Sequence, residues 1–146
     1  MPEKKRILFV CIGNSCRSPM AEGFARAYGG DVIEAGSAGL SPAPIVQPLT
    51  KKVMQAKNIS LDDQFPMDIG LMDLSRYDLI VNMSGWPLPF VPACPIVEWS
   101  VRDPIGASEK LYEKVRDEIE ARVVQLVLEM RREAEQRGRQ PLQKRP

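Results

Sequence analysis

The chain has 146 residues, a formal net charge of +1, 44% hydrophobic and 27% charged residues, three cysteines and no histidine. That length suits one domain with a real core, and the balanced charge gives no global field for nucleic acid or a membrane surface. The missing histidine excludes Ser-His and Cys-His nucleophile pairs, the three separated thiols make a zinc site unexpected, and so few cysteines fit a reducing cytoplasm better than a disulfide scaffold.

The start, MPEKKRILFVCIG, is basic, but its apolar run is only Ile7 to Ile12 and no small-residue cleavage site follows. Neither a secretory signal nor a membrane span is expected. Arg6 to Val10 reads as a short buried parallel strand ending at a glycine-containing loop. Ser18-Pro19 reads as a helix start, with Ser18 as N-cap, Pro19 first in the helix and Glu22 in the first turn. Met20, Phe24 and Tyr28 share one face, and Gly29-Gly30 stops the helix. Asp31 to Ala35 predicts a second strand, and GSAGLSPAP (36–44) a loop in which Ser37 and Ser41 are turn residues.

Pro48 to Lys57 predicts a second helix, Ile69 to Leu74 one short helix, and Tyr77 to Met83 a third strand. GWPLPFVPACP (85–95) is an irregular, proline-heavy loop, and Ile96 to Trp99 a fourth, shorter strand. Ser108 to Arg132 predicts a long amphipathic helix whose buried face is Leu111, Val115, Ile119, Val123, Leu126 and Met130. The last 16 residues carry six basic and two acidic side chains, which leaves the first 130 at −3. Residues 1–134 are expected to form one domain and 135–146 a basic, disordered tail. Strands alternating with helices imply an α/β fold with a mostly parallel sheet. Ligands of such sheets bind beyond the carboxyl ends of the strands, where the loop at 11–18 falls.

That loop carries the chemistry. From Ile12 to Ser18 the chain passes from a strand end to a helix N-terminus, so successive N–H groups can form a nest for an oxyanion such as phosphate. Gly13 and Asn14 tolerate the dihedrals this needs. Arg17 offers a planar fork to two oxygens. The same field favours the thiolate of Cys11 at the loop's start, with the Ser18 hydroxyl as a further donor. A thiolate at the base of such a cradle is placed for in-line attack on phosphorus. The leaving oxygen needs an acid, and Asp103, held by Pro104 just before the last helix, is the candidate.

Cys11-x5-Arg17-Ser18-Pro19, written CIGNSCRSP, resembles the phosphate loop of the low-molecular-weight protein tyrosine phosphatases, whose fold and loop are shared by thioredoxin-coupled arsenate reductases. Asp103-Pro104 is similar to that family's general-acid dipeptide, and the likeness spans residues 6 to 132. It implies a small flavodoxin-like three-layer sandwich, a four-stranded parallel sheet with helices on both faces. It also implies Cys11 as nucleophile, Arg17 as phosphate clamp, Ser18 as thiolate support, Asn14 as a loop-geometry residue and Asp103 as acid, then base. Ile12, Gly13, Asn14, Ser15, Cys16, Arg17 and Ser18 would line the phosphate. Cys16 corresponds to the family's second loop cysteine, which in some members pairs with the nucleophile.

Ser15, Met20-Ala21-Glu22-Gly23 and Gly36-Ser37-Ala38-Gly39 resemble the arsenate reductases. That branch usually has a redox cysteine after the third strand, where Asn82-Met83-Ser84 stands here, and Cys94 falls near where a further resolving thiol would lie. Tyrosine phosphatases often have a tyrosine after the Asp-Pro, where Ile105-Gly106 stands, although Trp86, Phe90 and Trp99 are available for stacking. The leading expectation is a cytoplasmic phosphomonoester hydrolase, a protein tyrosine phosphatase working through a cysteinyl-phosphate. It needs no metal or organic cofactor, and acts on a phosphorylated protein or small phosphomonoester. No nucleic-acid or membrane partner is expected, and the chain would be a monomer or weak dimer. The alternative is an arsenate reductase, taking arsenate with a thiol reductant, in which Cys16, Cys94 or an external thiol resolves Cys11. A non-catalytic anion-binding module is the third reading. Taken singly, Cys16 and Cys94 read more readily as packing residues than as redox partners.

Overall fold

The structure is a computed structural model that describes residues 4–138. Strands β1 (Lys5–Cys11), β2 (Ile33–Gly39), β3 (Leu79–Asn82) and β4 (Ile96–Glu98) form one sheet in the order β2-β1-β3-β4. All three pairings are parallel. β1 is central and apolar, and Ile7, Leu8, Phe9 and Val10 are fully buried, as a strand covered on both faces requires.

Alternation along the strands sorts the core into two layers. Ile7, Phe9 and Val81 meet α1 (Arg17–Gly29), α2 (Pro48–Gln55) and α3 (Glu109–Gly138) on one face. Leu8, Val10 and Ile80 meet Ile69, Met72, Leu74 and Leu88 on the other. The expected α/β sheet is present, and its second face is covered by two 3₁₀ turns, Ile69–Leu71 and Leu74–Arg76, and the proline-rich loop. The single short helix expected at 69–74 is thus two turns, because Asp68 and Asp73 each accept the N–H two residues on and start a separate turn.

Other boundaries differ for physical reasons. β2 runs to Gly39, so GSAG is strand rather than loop: pairing of Leu8 to Cys11 with Gly36 to Gly39 overrides the poor strand preference of glycine. Ser18 is not the N-cap of α1. Cys16 holds that place with no side-chain cap, Arg17 opens the helix, and Glu22 lies beyond the first turn. The Ser18 hydroxyl is drawn instead to Cys11 and Asn14. α3 continues past Arg132 to Gly138, so the boundary expected at 134/135 falls within a helix, and the rest of the basic tail lies outside the described residues.

The register aligns the carboxyl ends of the strands. Cys11 pairs with Gly39, Val10 with Asn82, and Asn82 with Glu98. The loop after β1, the turn after β3 and the segment after β4 therefore meet at one edge.

Candidate active site

The loop from Cys11 to Arg17 is strapped from outside by residues 40–47. Leu40, Ser41, Ala43 and Gln47 donate their N–H groups to the carbonyls of Cys11, Ile12, Gly13 and Ser15 at 3.1, 2.8, 2.9 and 2.9 Å. The Thr50 hydroxyl adds a second bond to Ser15 O at 3.1 Å. Those carbonyls are thereby occupied on the side of residues 40–47, a curl of the kind that can turn its N–H groups to the other side, and α1 begins with no side-chain cap at the same place. Asn14 takes the left-handed backbone (φ 49°) that the curl requires. Its side chain ties the loop down: Nδ2 donates to Ser18 Oγ (2.8 Å) and Ser37 Oγ (2.9 Å), while Oδ1 accepts the Met67 N–H (2.8 Å).

Cys11 ends β1 at the base of this cradle and is 2% exposed. Its Sγ lies 2.9 Å from Ser18 Oγ and 3.5 Å from the Ser18 N–H. Arg17 is buried, and its Nη1 donates to the carbonyls of Met83 (2.5 Å) and Val101 (3.0 Å). Those two carbonyls belong to the segments after β3 and β4, so the sheet's edge aims the guanidinium. Nη2 is left 3.5 Å from Asp103 Oδ2. The Asp103 side chain is part-exposed, and its other oxygen accepts the Ile105 N–H at 3.1 Å, an Asx turn that fixes its direction. Arg17 and Asp103 therefore meet at the carboxyl edge of the sheet, beside the loop that Cys11 opens.

The side chains of the other two thiols lie in the core on either face of the sheet. Cys16 is 1% exposed and packs with Met20, Val53 and Met83. Burial pushes its thiol up to about 12, against the lowering effect of the Thr50 hydroxyl. Cys94 packs on the opposite face of the sheet. It stands two residues before Ile96, which pairs with Ile80, and Pro95 O accepts the Ile80 N–H. It is thus level with Arg6, about 16 Å from Cys11 along the strands at about 3.3 Å per residue. Trp99 is not at the mouth either: it packs on Phe9 at 6.0 Å and lies under the Arg122 guanidinium at 5.8 Å. Trp86 and Ile105 are the exposed apolar side chains of the turns that carry Ser84 and Asp103.

The supports of the loop and of Arg17 lie far from them in sequence and carry no motif. Ser37, read in the sequence as a turn residue, lies on β2 and joins Asn14 to Glu22. Thr50, Met67, Met83 and Val101 hold the loop or Arg17 through bonds that only the folded sheet brings together. After β3, Asn82 Oδ1 accepts from the Ser84 N–H (3.0 Å) and hydroxyl (2.7 Å), and Asn82 Nδ2 donates to Trp86 O (2.8 Å). At the place after β3 where arsenate reductases of the resembling branch carry a redox cysteine, a pinned turn presents the Met83 carbonyl to Arg17.

The family model described as "Low molecular weight phosphotyrosine protein phosphatase" matches residues 6–136. The chain belongs to this family. Within the low-molecular-weight phosphatase family its relatives carry two kinds of name. "Arsenate reductase 1" of Bacillus cereus is 39% identical over 127 residues, covering 84% of this chain and 94% of that protein. A solved arsenate reductase in the phosphate-binding state superposes with a TM-score of 0.79 at 31% identity, covering 86% of this chain and 98% of that one. A low-molecular-weight protein tyrosine phosphatase from T. tengcongensis gives a TM-score of 0.75 at 27% identity, covering 86% and 99%.

Proposed function

We propose that this chain is an arsenate reductase whose nucleophile is Cys11 and whose reductant is an external thiol. Cradle, thiol, arginine and acid serve phosphorus and arsenic alike, since both form tetrahedral oxyanions. The observation that carries the choice is the 39% identity to an arsenate reductase over nearly that protein's whole length. In this reading the Cys11 thiolate attacks arsenic in line, Arg17 holds two arsenate oxygens, and a third oxygen leaves as water with a proton from Asp103. An external thiolate then attacks the Cys11 sulfur. An S–S bond forms, the As–S bond breaks, and its electron pair leaves with arsenic, which falls from As(V) to As(III) and departs as arsenite. A second thiol reduces the mixed disulfide and restores Cys11. Cys94 is too far for a disulfide, which needs Cα atoms within about 7 Å. Cys16 is buried and protonated at neutral pH, so it is a poor attacking thiol.

A second reading, hydrolysis of phosphomonoesters with phosphotyrosine as the protein substrate, is favoured by one observation: Asn82-Met83-Ser84 carries no thiol after β3. Water would then attack the cysteinyl-phosphate, activated by Asp103. A paired assay separates the two. Arsenate-dependent oxidation of a small thiol, lost in Cys11→Ser and faster than aryl phosphate turnover, supports reductase. Aryl phosphate turnover without arsenite formation refutes it in favour of the phosphatase.

A further inference from the structure

At the open edge of the sheet, α3 and the last two strands line a groove of about 440 Å³. Its floor is apolar: Leu79 and Val81 of β3, Val97 of β4, and Trp99. β4 is the outermost strand, and Val97 is left 41% exposed there. The wall is α3, which contributes Ala121, Arg122, Gln125, Leu126, Glu129 and Met130. Two adjacent positions recur every four residues, as one face of a helix requires.

These six residues are ordered symmetrically about the midpoint between Gln125 and Leu126. Positions equally far from that point carry opposite properties. Small Ala121 answers large Met130, cationic Arg122 answers anionic Glu129, and polar Gln125 answers apolar Leu126. A two-fold axis through the midpoint, perpendicular to the helix, lays a second α3 antiparallel beside the first and sets each member of a pair against the other. A foreign helix would have to carry the reverse order of size and charge, whereas a second copy supplies it by symmetry. Both charges are available for the contact. The ion pair of Arg122 is with Glu118 at 3.7 Å on the surface, and among the described residues Glu129 has none. Beyond the groove the same axis sets Glu118 level with Glu133, like against like, which keeps the association weak.

We propose that this groove is the contact between two copies of the chain, α3 against α3 about a two-fold axis, with Arg122 of each copy on Glu129 of the other and Met130 over Ala121. The contact uses neither the loop from Cys11 to Arg17 nor Asp103, so it holds whichever oxyanion the chain turns over.

The test is sedimentation equilibrium of the full chain at low and high salt, with a reductant present so that Cys94 forms no cross-link. The parent should dimerise with a dissociation constant below about 1 mM, and more weakly in high salt, which screens exposed charge pairs. Arg122→Glu and Glu129→Arg each bring like charges together twice per dimer and should weaken association about tenfold or more. The two variants are then mixed. One presents acid at both positions and the other base at both, so together they should form a heterodimer as readily as the parent forms its homodimer. A role confined to each chain's own helix gives no such recovery. Should circular dichroism show Arg122→Glu unfolded, Ala121→Arg at an exposed position replaces it, and should lose the dimer by collision with Met130 of the second copy. A parent still monomeric at about 1 mM overturns the proposal and leaves the groove to another occupant. Parental association in the folded single variants, or no recovery on mixing, overturns it equally.

Discussion

Arg17 Nη2 and Asp103 Oδ2 lie 3.5 Å apart, one group from the start of α1 and the other from the segment after β4. The guanidinium cannot swing away, because its Nη1 is bonded to the Met83 and Val101 carbonyls. The carboxylate is therefore held at the mouth beside the group proposed to grip the oxyanion. Asp103→Asn keeps the Ile105 N–H bond and removes the proton. It is expected to lower kcat by about 10² to 10⁴ on an alkyl phosphate or on arsenate, and by less on an aryl phosphate whose leaving group needs no acid. The melting temperature should stay parental, since a part-exposed ion pair contributes little. Equal losses on good and poor leaving groups would remove Asp103 from the acid role.

Arg17→Lys tests the fork. A lysine supplies a charge but cannot reach the two anchoring carbonyls and two oxyanion oxygens together. The expected loss is about 10²-fold or more in kcat/KM, with weaker inhibition by phosphate. Inhibition constants for phosphate in parent and variant are the direct check, and equal constants would mean the nest alone holds the oxyanion.

Much of this site was legible in the chain because it is local. Cys11, Asn14, Arg17 and Ser18 fall within eight residues, and a strand-loop-helix passage dictates what their backbone does. Asp103 was legible through its proline and its place before a long helix. What stayed hidden depends on register. Ser37 reaches Asn14 because β2 pairs in parallel with β1 so that Gly39 faces Cys11. Nothing in GSAG announces a strand, since glycine and serine are poor strand formers and only burial beside β1 makes them one. Ser18 misled for the converse reason: a serine before a proline is a common N-cap, but here a sulfur and an amide compete for its hydroxyl. The extent of α3 was misjudged because its last turns carry few apolar residues; of these Ala134 packs against the core.

Cys16 leads to a prediction about alkaline stability. Its thiol is about 12 in the folded chain against an ordinary 9.0, chiefly through burial. Between those values the unfolded chain has lost the proton that the folded chain keeps. Unfolding is therefore favoured as pH rises, and the stability held below pH 9 is lost progressively toward 12. The slope from this one group is about 1.4 kcal/mol per pH unit. Cys16→Ala is less stable at neutral pH because of the cavity it leaves. Its urea midpoint should nevertheless fall less steeply with pH than the parent's above pH 9, and parallel slopes would show that Cys16 titrates normally.

Two glycines separate stability from binding. A Cβ added at Gly29 would lie 2.6 Å from Val127 Cγ2, at the contact between α1 and α3. Overpacking there costs about 1 to 3 kcal/mol, and because a valine side chain can yield without moving the loop, kcat and phosphate affinity should stay parental. A Cβ at Gly39 would lie 2.8 Å from Ile12 O and 2.9 Å from Asn14 N, both backbone atoms of the cradle. Those atoms can yield only by moving the nest itself, and the straps from Leu40 and Ser41 begin at the next residues. Gly39→Ala is therefore expected to lose stability and, in the fraction that stays folded, to bind phosphate at least tenfold more weakly, about 1.4 kcal/mol. Calorimetric titration of both variants with phosphate reads this out. Parental affinity in folded Gly39→Ala would mean that the loop tolerates displacement and that the closeness of β2 does not shape the oxyanion site.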